Sequence, residues 1–357
     1  MKRLRENTAS DGDDTSAILL AWYDAHARSM PWRVPPDKIV TGIRPDPYRI
    51  WLSEVMLQQT GVATVTGYFL RFCARWPDVQ ALAGAEDAEV MGEWAGLGYY
   101  ARARNLLKCA RVICTGQDGR FPETYAELMQ LPGIGPYTAA AIAAIAFDRS
   151  EVVVDGNVER VMARLFNISE PLPIVKPKLT ARAADLTPTT RPGDYAQAVM
   201  DLGATICTPR NPACGICPLG HKCAARNAGT APDLPRRVAK TPKPTRYGIV
   251  YLARDTTGGW LLERRPDKGL LGGMLGWPTS AWDDDPQDAP PFAADWTTLP
   301  ENVRHTFTHF HLILKVRTAV LPEVSAPNGL VVLAKHEFRR LDLPTVMRKA
   351  FDLWCAS

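Results

Sequence analysis

Leu131-Pro132-Gly133-Ile134-Gly135-Pro136-Tyr137-Thr138-Ala139 joins two stretches with helical spacing, Glu123–Gln130 and Pro136–Phe147. Pro136 suits the first position of a helix, where its missing N–H breaks no bond. Two glycines at this spacing permit a tight hairpin with a bare backbone surface. Amides at the start of the second helix can then grip a phosphate without reading a base. A plain packing hairpin would use the same residues, and the stretch alone does not separate the two readings.

Outward from the hairpin the chain keeps one texture. Residues 15–225 are rich in Ala, Leu and Met with helical spacing, as in Ala17–Ala27, Ile50–Gln59 and Ala101–Ile113. Beyond residue 246 short β-like runs take over: Tyr247–Ala253, Trp260–Arg264 and Phe310–Val320. In the last of these His311, Ile313, Lys315 and Arg317 alternate partly with apolar neighbours. A helix over Thr345–Trp354 follows Pro344. The expectation is an all-α domain over residues 15–225 followed by a smaller α+β domain over 247–357. Two domains also suit a length of 357 residues. The polar residues 1–14 are expected to be disordered.

Composition, with 46% hydrophobic and 22% charged residues, fits a globular protein with ample core material. No apolar run approaches the roughly 20 residues that cross a bilayer. The start, Met1-Lys2-Arg3-Leu4-Arg5-Glu6, lacks the apolar stretch of a secretory signal, so a cytoplasmic protein is expected. The net charge is +4, and its excess lies in residues 226–246, where Arg226, Arg236, Arg237, Lys240, Lys243 and Arg246 face Asp233 alone. With Pro232, Pro235, Pro242 and Pro244, that segment reads as an extended linker. It is basic enough to lie along a phosphate backbone. A merely solubilising linker fits equally well.

Four of the eight cysteines, Cys207, Cys214, Cys217 and Cys223, fall in one short stretch spaced Cys-x6-Cys-x2-Cys-x5-Cys. Four such thiolates can close around one metal centre, and disulfides are not expected in an intracellular chain. Zinc sites use a Cys-x2-Cys knuckle, usually in pairs, whereas this array has a single knuckle. A [4Fe–4S] cluster also takes four thiolates, so both centres stay open on spacing alone. Cys73, Cys109, Cys114 and Cys355 are scattered and read as core or free thiols.

Two carboxylates stand out. In Val152-Val153-Val154-Asp155-Gly156-Asn157-Val158-Glu159-Arg160-Val161, Asp155 sits where an apolar run meets a helix, and is either an N-cap or a working group. In Trp51-Leu52-Ser53-Glu54-Val55-Met56-Leu57-Gln58-Gln59-Thr60, Glu54 lies on a helix crowded with apolar side chains. A carboxylate there must be exposed, paired or working.

Together the hairpin, the Val154–Val161 stretch and the cysteine array resemble the endonuclease III superfamily of base-excision enzymes. Met30-Pro31-Trp32-Arg33, Ser53–Thr60 and Gly96-Leu97-Gly98-Tyr99-Tyr100-Ala101-Arg102 sharpen the resemblance to its A/G-specific adenine glycosylases, the MutY type. The likeness covers about residues 16–225 and resumes near 247. It implies a helix–hairpin–helix fold, one [4Fe–4S] cluster on Cys207, Cys214, Cys217 and Cys223, and backbone binding of DNA at Gly133 and Gly135. It implies that Glu54 protonates adenine at N7, while Asp155, with Asn157 beside it, stabilises or attacks the sugar cation. Cleaving an N-glycosidic bond needs a proton on the leaving base and negative charge near the anomeric carbon, so two carboxylates of different pKa suffice. Apolar Val55, Met56 and Leu57 suit the acid. The base must first leave the stack. By the same resemblance Tyr99 is the wedge beside the lesion and Gln59 fills the helix. Arg28, Trp32, Arg33 and Gln197 surround the adenine pocket.

The implied partner is double-stranded DNA with adenine opposite 8-oxoguanine or guanine. The enzyme is expected to act as a monomer, away from membranes. Bifunctional relatives carry a Lys in the hairpin for a Schiff base. Tyr137 stands there instead, and no Lys occurs between Lys108 and Lys176, so no substitute amine is expected and no strong lyase step. Leu270-Leu271-Gly272-Gly273-Met274-Leu275-Gly276-Trp277-Pro278 resembles the Nudix fold, whose catalysis needs clustered Glu residues for magnesium. None lies between Glu263 and Glu301, so recognition alone is expected of that domain. Phe307-Thr308-His309 resembles the loop, written Phe-Ser-His, that reaches 8-oxoguanine; a strand-edge turn is the plainer reading. The rival classes are a bifunctional endonuclease III-type glycosylase for oxidised pyrimidines and a non-catalytic DNA-damage binder.

Overall fold

The computed structural model describes residues 11–239, 241–266, 269–322 and 329–357. It divides into two compact units, residues 1–239 and 240–357.

The first unit is built of helices: α1 (Asp11–His26), α2 (Pro36–Val40), α3 (Pro47–Leu57), α4 (Val62–Arg75), α5 (Val79–Ala83), α6 (Asp87–Glu93), α7 (Ala101–Gly116), α8 (Tyr125–Leu128), α9 (Pro136–Phe147), α10 (Gly156–Leu165), α11 (Lys176–Leu186), α12 (Pro192–Thr205) and α13 (Ala224–Asn227). The expected helix at 50–59 starts three residues earlier and stops at Leu57. Asp46 caps it by accepting from the Tyr48 amide at 2.9 Å, with Pro47 in the first turn. The helix expected over Glu123–Gln130 shortens to α8, capped by the Thr124 hydroxyl. At the hairpin, Gly133 has φ +76°, and a Cβ there would stand 2.7 Å from Asn105 Cβ, so conformation and space both require glycine. Helix α9 begins at once behind it and is buried from Thr138 to Ala146, six of these residues being alanine. Small side chains on every face let α3 and α12 pack closely against it.

Two expectations about the chain's margins are corrected. Residues 11–14, expected to be disordered, already belong to α1; residues 1–10 lie outside the described residues. The segment 226–239 is not an extended linker. It holds the end of α13 and a 3-10 turn at Ala231–Asp233, and it buries Ala231 and Leu234 with Ala225 against Cys214 and Cys223. Leu172 bonds to Arg236 O and Val238 N at 2.9 and 3.0 Å, and Arg164 Nε donates to Leu234 O at 2.9 Å. Its prolines and charges mask a few apolar residues that are enough to dock it. Lys240 lies outside the described residues.

The second unit is a mixed sheet with a terminal helix: β1 (Thr245–Asp255), β2 (Trp260–Arg264), β3 (Leu275–Gly276), β4 (Thr297–Thr306), β5 (His311–Leu321), β6 (Leu330–Leu333) and α14 (Thr345–Ala356). The order is β3-β2-β1-β5-β4, with β6 also pairing β2. Strands β1 and β5 run parallel from Thr245↔His311 to Asp255↔Leu321. Strand β4, not expected from the sequence, contains Pro300, which donates no ladder bond; a register shift between Thr298 and Asn302 absorbs it. Its core stacks Trp260, Trp277, Phe338, Phe351 and Trp354 beside Met347 of α14.

Candidate active site

A cleft of about 960 Å³ opens in the helical unit, and its walls gather residues far apart in the chain. Glu54, Tyr137, Asp155 and Asn157 all line it, with Arg28, Trp32, Arg33, Gln59, Gly133, Gly135 and Gln197.

Glu54 sits on α3 between buried Ser53 and Val55, itself 7% exposed. Burial among these neighbours pushes its carboxyl up to about 7. A hydrogen bond from Tyr137 and the charge of Arg33 pull the other way, while Asp155 adds to the rise. The group therefore holds a proton near neutrality that an ordinary glutamic acid would have lost. Tyr137, in the first turn of α9, also lies 3.7 Å from Met200 Sδ through its hydroxyl. Burial, and then the Glu54 charge, push that phenol well above its ordinary range.

Asp155 is the N-cap of α10, so the capping reading is correct as geometry. Oδ1 accepts from the amides of Asn157 and Val158 at 2.8 Å each, and Oδ2 accepts from Asn157 Nδ2 at 2.7 Å. Both of its oxygens are thus held by fixed donors at the helix N-terminus. Asn157 Oδ1 in turn accepts from Arg160 at 2.8 Å, and Arg160 reaches the carbonyls of Gly203 and Cys207 at 2.7 Å. The second carboxylate is thus tied through two side chains to the start of the cysteine loop.

Some residues of this site escaped the sequence, Asp201 first among them. Asp201 of α12, whose side chain is wholly buried, accepts from Arg28 N and Nε at 3.0 and 2.6 Å and from Arg33 at 2.7 Å. It orients both arginines on the cleft wall. Its place four residues after Gln197, on the same helix face, was the available signal. Gln197 itself is buried and bonded to Gly193 O. Trp32 is buried with its ring edge against Phe69.

The expectation that no amine would be at hand is corrected. Lys176 opens α11 and lines the cleft, paired with Glu159 at 2.8 Å. The distance along the chain concealed it. Tyr99 is 51% exposed on the turn before α7. In the second unit, Phe307-Thr308-His309 form the turn between β4 and β5, closed by Phe307 N to Phe310 O at 2.9 Å. Phe307 stacks on Trp282, leaving Thr308 and His309 exposed.

The four clustered cysteines line one cavity with Arg164 and Arg226, all with free thiols. Among the described residues no three His, Cys, Asp or Glu side chains are grouped closely enough to mark a metal site. The donors nevertheless fit an iron–sulfur group: four sulfurs line one cavity, and Arg164 donates to Cys207 Sγ at 3.3 Å, the kind of outer hydrogen bond that orients a cluster ligand. Gly220 completes the fit, since a Cβ there would stand 2.5 Å from Arg226 and 3.1 Å from Cys217 O.

Comparison with known proteins accords with this geometry. Residues 52–185 match the HhH-GPD superfamily of base excision DNA repair proteins, residues 207–223 the iron-sulfur binding domain of endonuclease III, and residues 249–353 the NUDIX domain. The adenine DNA glycosylase of Homo sapiens is 34% identical over 94% of this chain and 73% of its own length. That of Rattus norvegicus is 35% identical over 97% and 79%, and that of Mycolicibacterium smegmatis 41% over 67% and 80%. Among solved structures, a thermostable thymine-DNA glycosylase superposes on 62% of this chain and 100% of its own, with a TM-score of 0.54 at 28% identity.

Proposed function

The chain belongs to the adenine DNA glycosylases, base-excision-repair hydrolases of N-glycosyl bonds, and on that premise we propose that it releases adenine mispaired with 8-oxoguanine or guanine in double-stranded DNA. The observation that carries the reading is the pairing of a proton-holding Glu54 with a donor-capped Asp155 in one cleft.

The extrahelical adenine enters between Trp32 and the Arg28 and Arg33 guanidiniums that Asp201 fixes. Glu54 passes its proton to N7, and the C1′–N9 bond breaks with its electron pair leaving on adenine. Asp155, held by the α10 amides and Asn157, faces the sugar cation as counter-charge or nucleophile. Water then adds at C1′, and Glu54, now ionised, takes its proton. Tyr137 fills the place where a lyase needs an amine, and the Lys176 side chain is engaged by Glu159 at 2.8 Å, away from any attack on the sugar. The enzyme is a monofunctional glycosylase acting as a monomer. Gly133 and Gly135 grip DNA backbone, Tyr99 enters the stack beside the lesion and Gln59 fills the gap. A [4Fe–4S] cluster held by Cys207, Cys214, Cys217 and Cys223 would tie the 207–223 loop into a firm surface. Thr308 and His309, exposed on their turn, read the 8-oxoguanine edge through a hydroxyl and a backbone N–H.

Single-turnover assays on duplexes with adenine opposite 8-oxoguanine, adenine opposite guanine, and thymine glycol opposite adenine test this. Release of adenine without strand nicking is expected from the first two only. Replacing Phe307, Thr308 and His309 together by alanine should remove about 1–3 kcal/mol of preference for 8-oxoguanine over guanine. Nicking at thymine glycol would support an endonuclease III-type activity, and an unchanged preference would move lesion reading elsewhere.

A further inference from the structure

Gln59 and Tyr99 are both non-glycine residues in the left-handed region, with φ +59° and +49°. A side chain with a Cβ adopts that conformation only where its surroundings impose it. The two residues belong to separate turns, one after α3 and one before α7, and a single side chain bonds to both. Arg102, in the first turn of α7, donates through one terminal nitrogen to Val55 O and Met56 O at 3.0 and 2.9 Å. These are carbonyls from the last turn of α3, left without helical partners. Its other terminal nitrogen reaches Thr60 Oγ1 at 3.3 Å, Leu97 O at 3.0 Å and Gly98 O at 3.3 Å. The guanidinium also lies 5.5 Å from the Tyr99 ring centroid and 5.3 Å from that of Trp94. Trp94 Nε1 holds Gly98 O from the other side at 3.0 Å.

We propose that Arg102 is a positioning residue that fastens the Gln59 and Tyr99 turns into one rigid probe, so that both enter the duplex together and drive the adenine out of the stack. The proposal rests on the reading of Gln59 and Tyr99 as residues that enter the helix. A planar fork is needed because the acceptors belong to two chain segments and lie on two sides of the group. A lysine ammonium, with three donors at one point, cannot span them. With the fork removed, each turn relaxes by itself. A wedge and a plug whose spacing is no longer fixed cannot stabilise the opened base pair.

The test uses the Glu54→Gln protein, so that binding proceeds without cleavage, and a duplex carrying 2-aminopurine at the target position opposite guanine. Its fluorescence rises when the base unstacks. The Glu54→Gln protein should give this rise on binding. Glu54→Gln/Arg102→Lys should still bind the duplex, and at saturating protein should give little of it. Arg102→Lys alone should lose on the order of 10²-fold in single-turnover rate, a loss that saturating enzyme does not restore. An undiminished fluorescence rise, or a rate restored by saturation, overturns the proposal. Glu54→Gln/Tyr99→Ala separates the two readings. If it too leaves the rise intact, Tyr99 is not a wedge and both fail. If it abolishes the rise while Arg102→Lys does not, the role of Arg102 alone fails. Should Arg102→Lys not fold, Thr60→Val removes one acceptor and should reduce the rise partially; no reduction there overturns the proposal equally.

Discussion

Glu54 and Asp155 line the same cleft, yet the sequence around them builds opposite solvents. Helix α3 surrounds Glu54 with buried side chains and offers its carboxyl no backbone amide. The start of α10 meets Asp155 with two amides and the Asn157 side chain, all donors. One setting favours a neutral acid, and the other surrounds its carboxylate with hydrogen-bond donors. The difference shows that identical functional groups are given distinct surroundings by the segment that carries them. A mid-helix position withholds donors, because every amide there is spent inside the helix, and a helix start supplies them.

The sharpest way to break the comparison is to remove each charge separately. Glu54→Gln and Asp155→Asn should each still bind mispaired DNA but release adenine at least about 10²–10⁴-fold more slowly in single-turnover assays. Near-normal release by either would remove that residue from the chemistry. The next effect is on pH dependence. Adenine release should fall about tenfold per unit above pH 7, as Glu54 loses the proton it must donate. Residual activity of Glu54→Gln should lack that limb.

Stability should divide in the same way. The Glu54 carboxyl is raised in the folded state, from 4.5 to about 7, so folding binds a proton and stability falls as pH climbs through that window. Glu54→Gln, neutral throughout, should therefore gain thermal stability at pH 8, by at most about 3 kcal/mol, and much less at pH 4.5. Asp155→Ala should instead cost about 1 kcal/mol at either pH, because it removes an N-cap. The smallest effect sharpens the comparison further. Tyr137→Phe deletes a hydrogen bond that lowers the Glu54 pKa, so the alkaline limb of the rate profile should move up by under about one unit.

The hairpin, both carboxylates and the cysteine array were legible because each is a local word: a turn chemistry, a cap position, a spacing. The helices at 47–57 and 136–147 and the strands at 245–255 and 311–321 were legible from periodicity to within a few residues. Asp201, Arg102 and Lys176 were not, because what each does depends on partners elsewhere in the chain. Arg28 lies 173 residues from Asp201, and Val55 lies 47 from Arg102. Strand β4 was hidden by Pro300, and the docking of 226–239 by a composition that prolines and arginines dominate.

That docked segment also sets how far the second unit can wander. Five residues separate Ala239 from the start of β1 at Thr245, a reach of roughly 20 Å even when fully drawn out. Were residues 228–239 to come loose from the cysteine loop they pack upon, the tether would be roughly three times longer, and the effective concentration of one unit about the other would drop about fivefold. The cysteine loop is therefore the clamp on the leash. Whatever fills its cavity would also set the length of that tether.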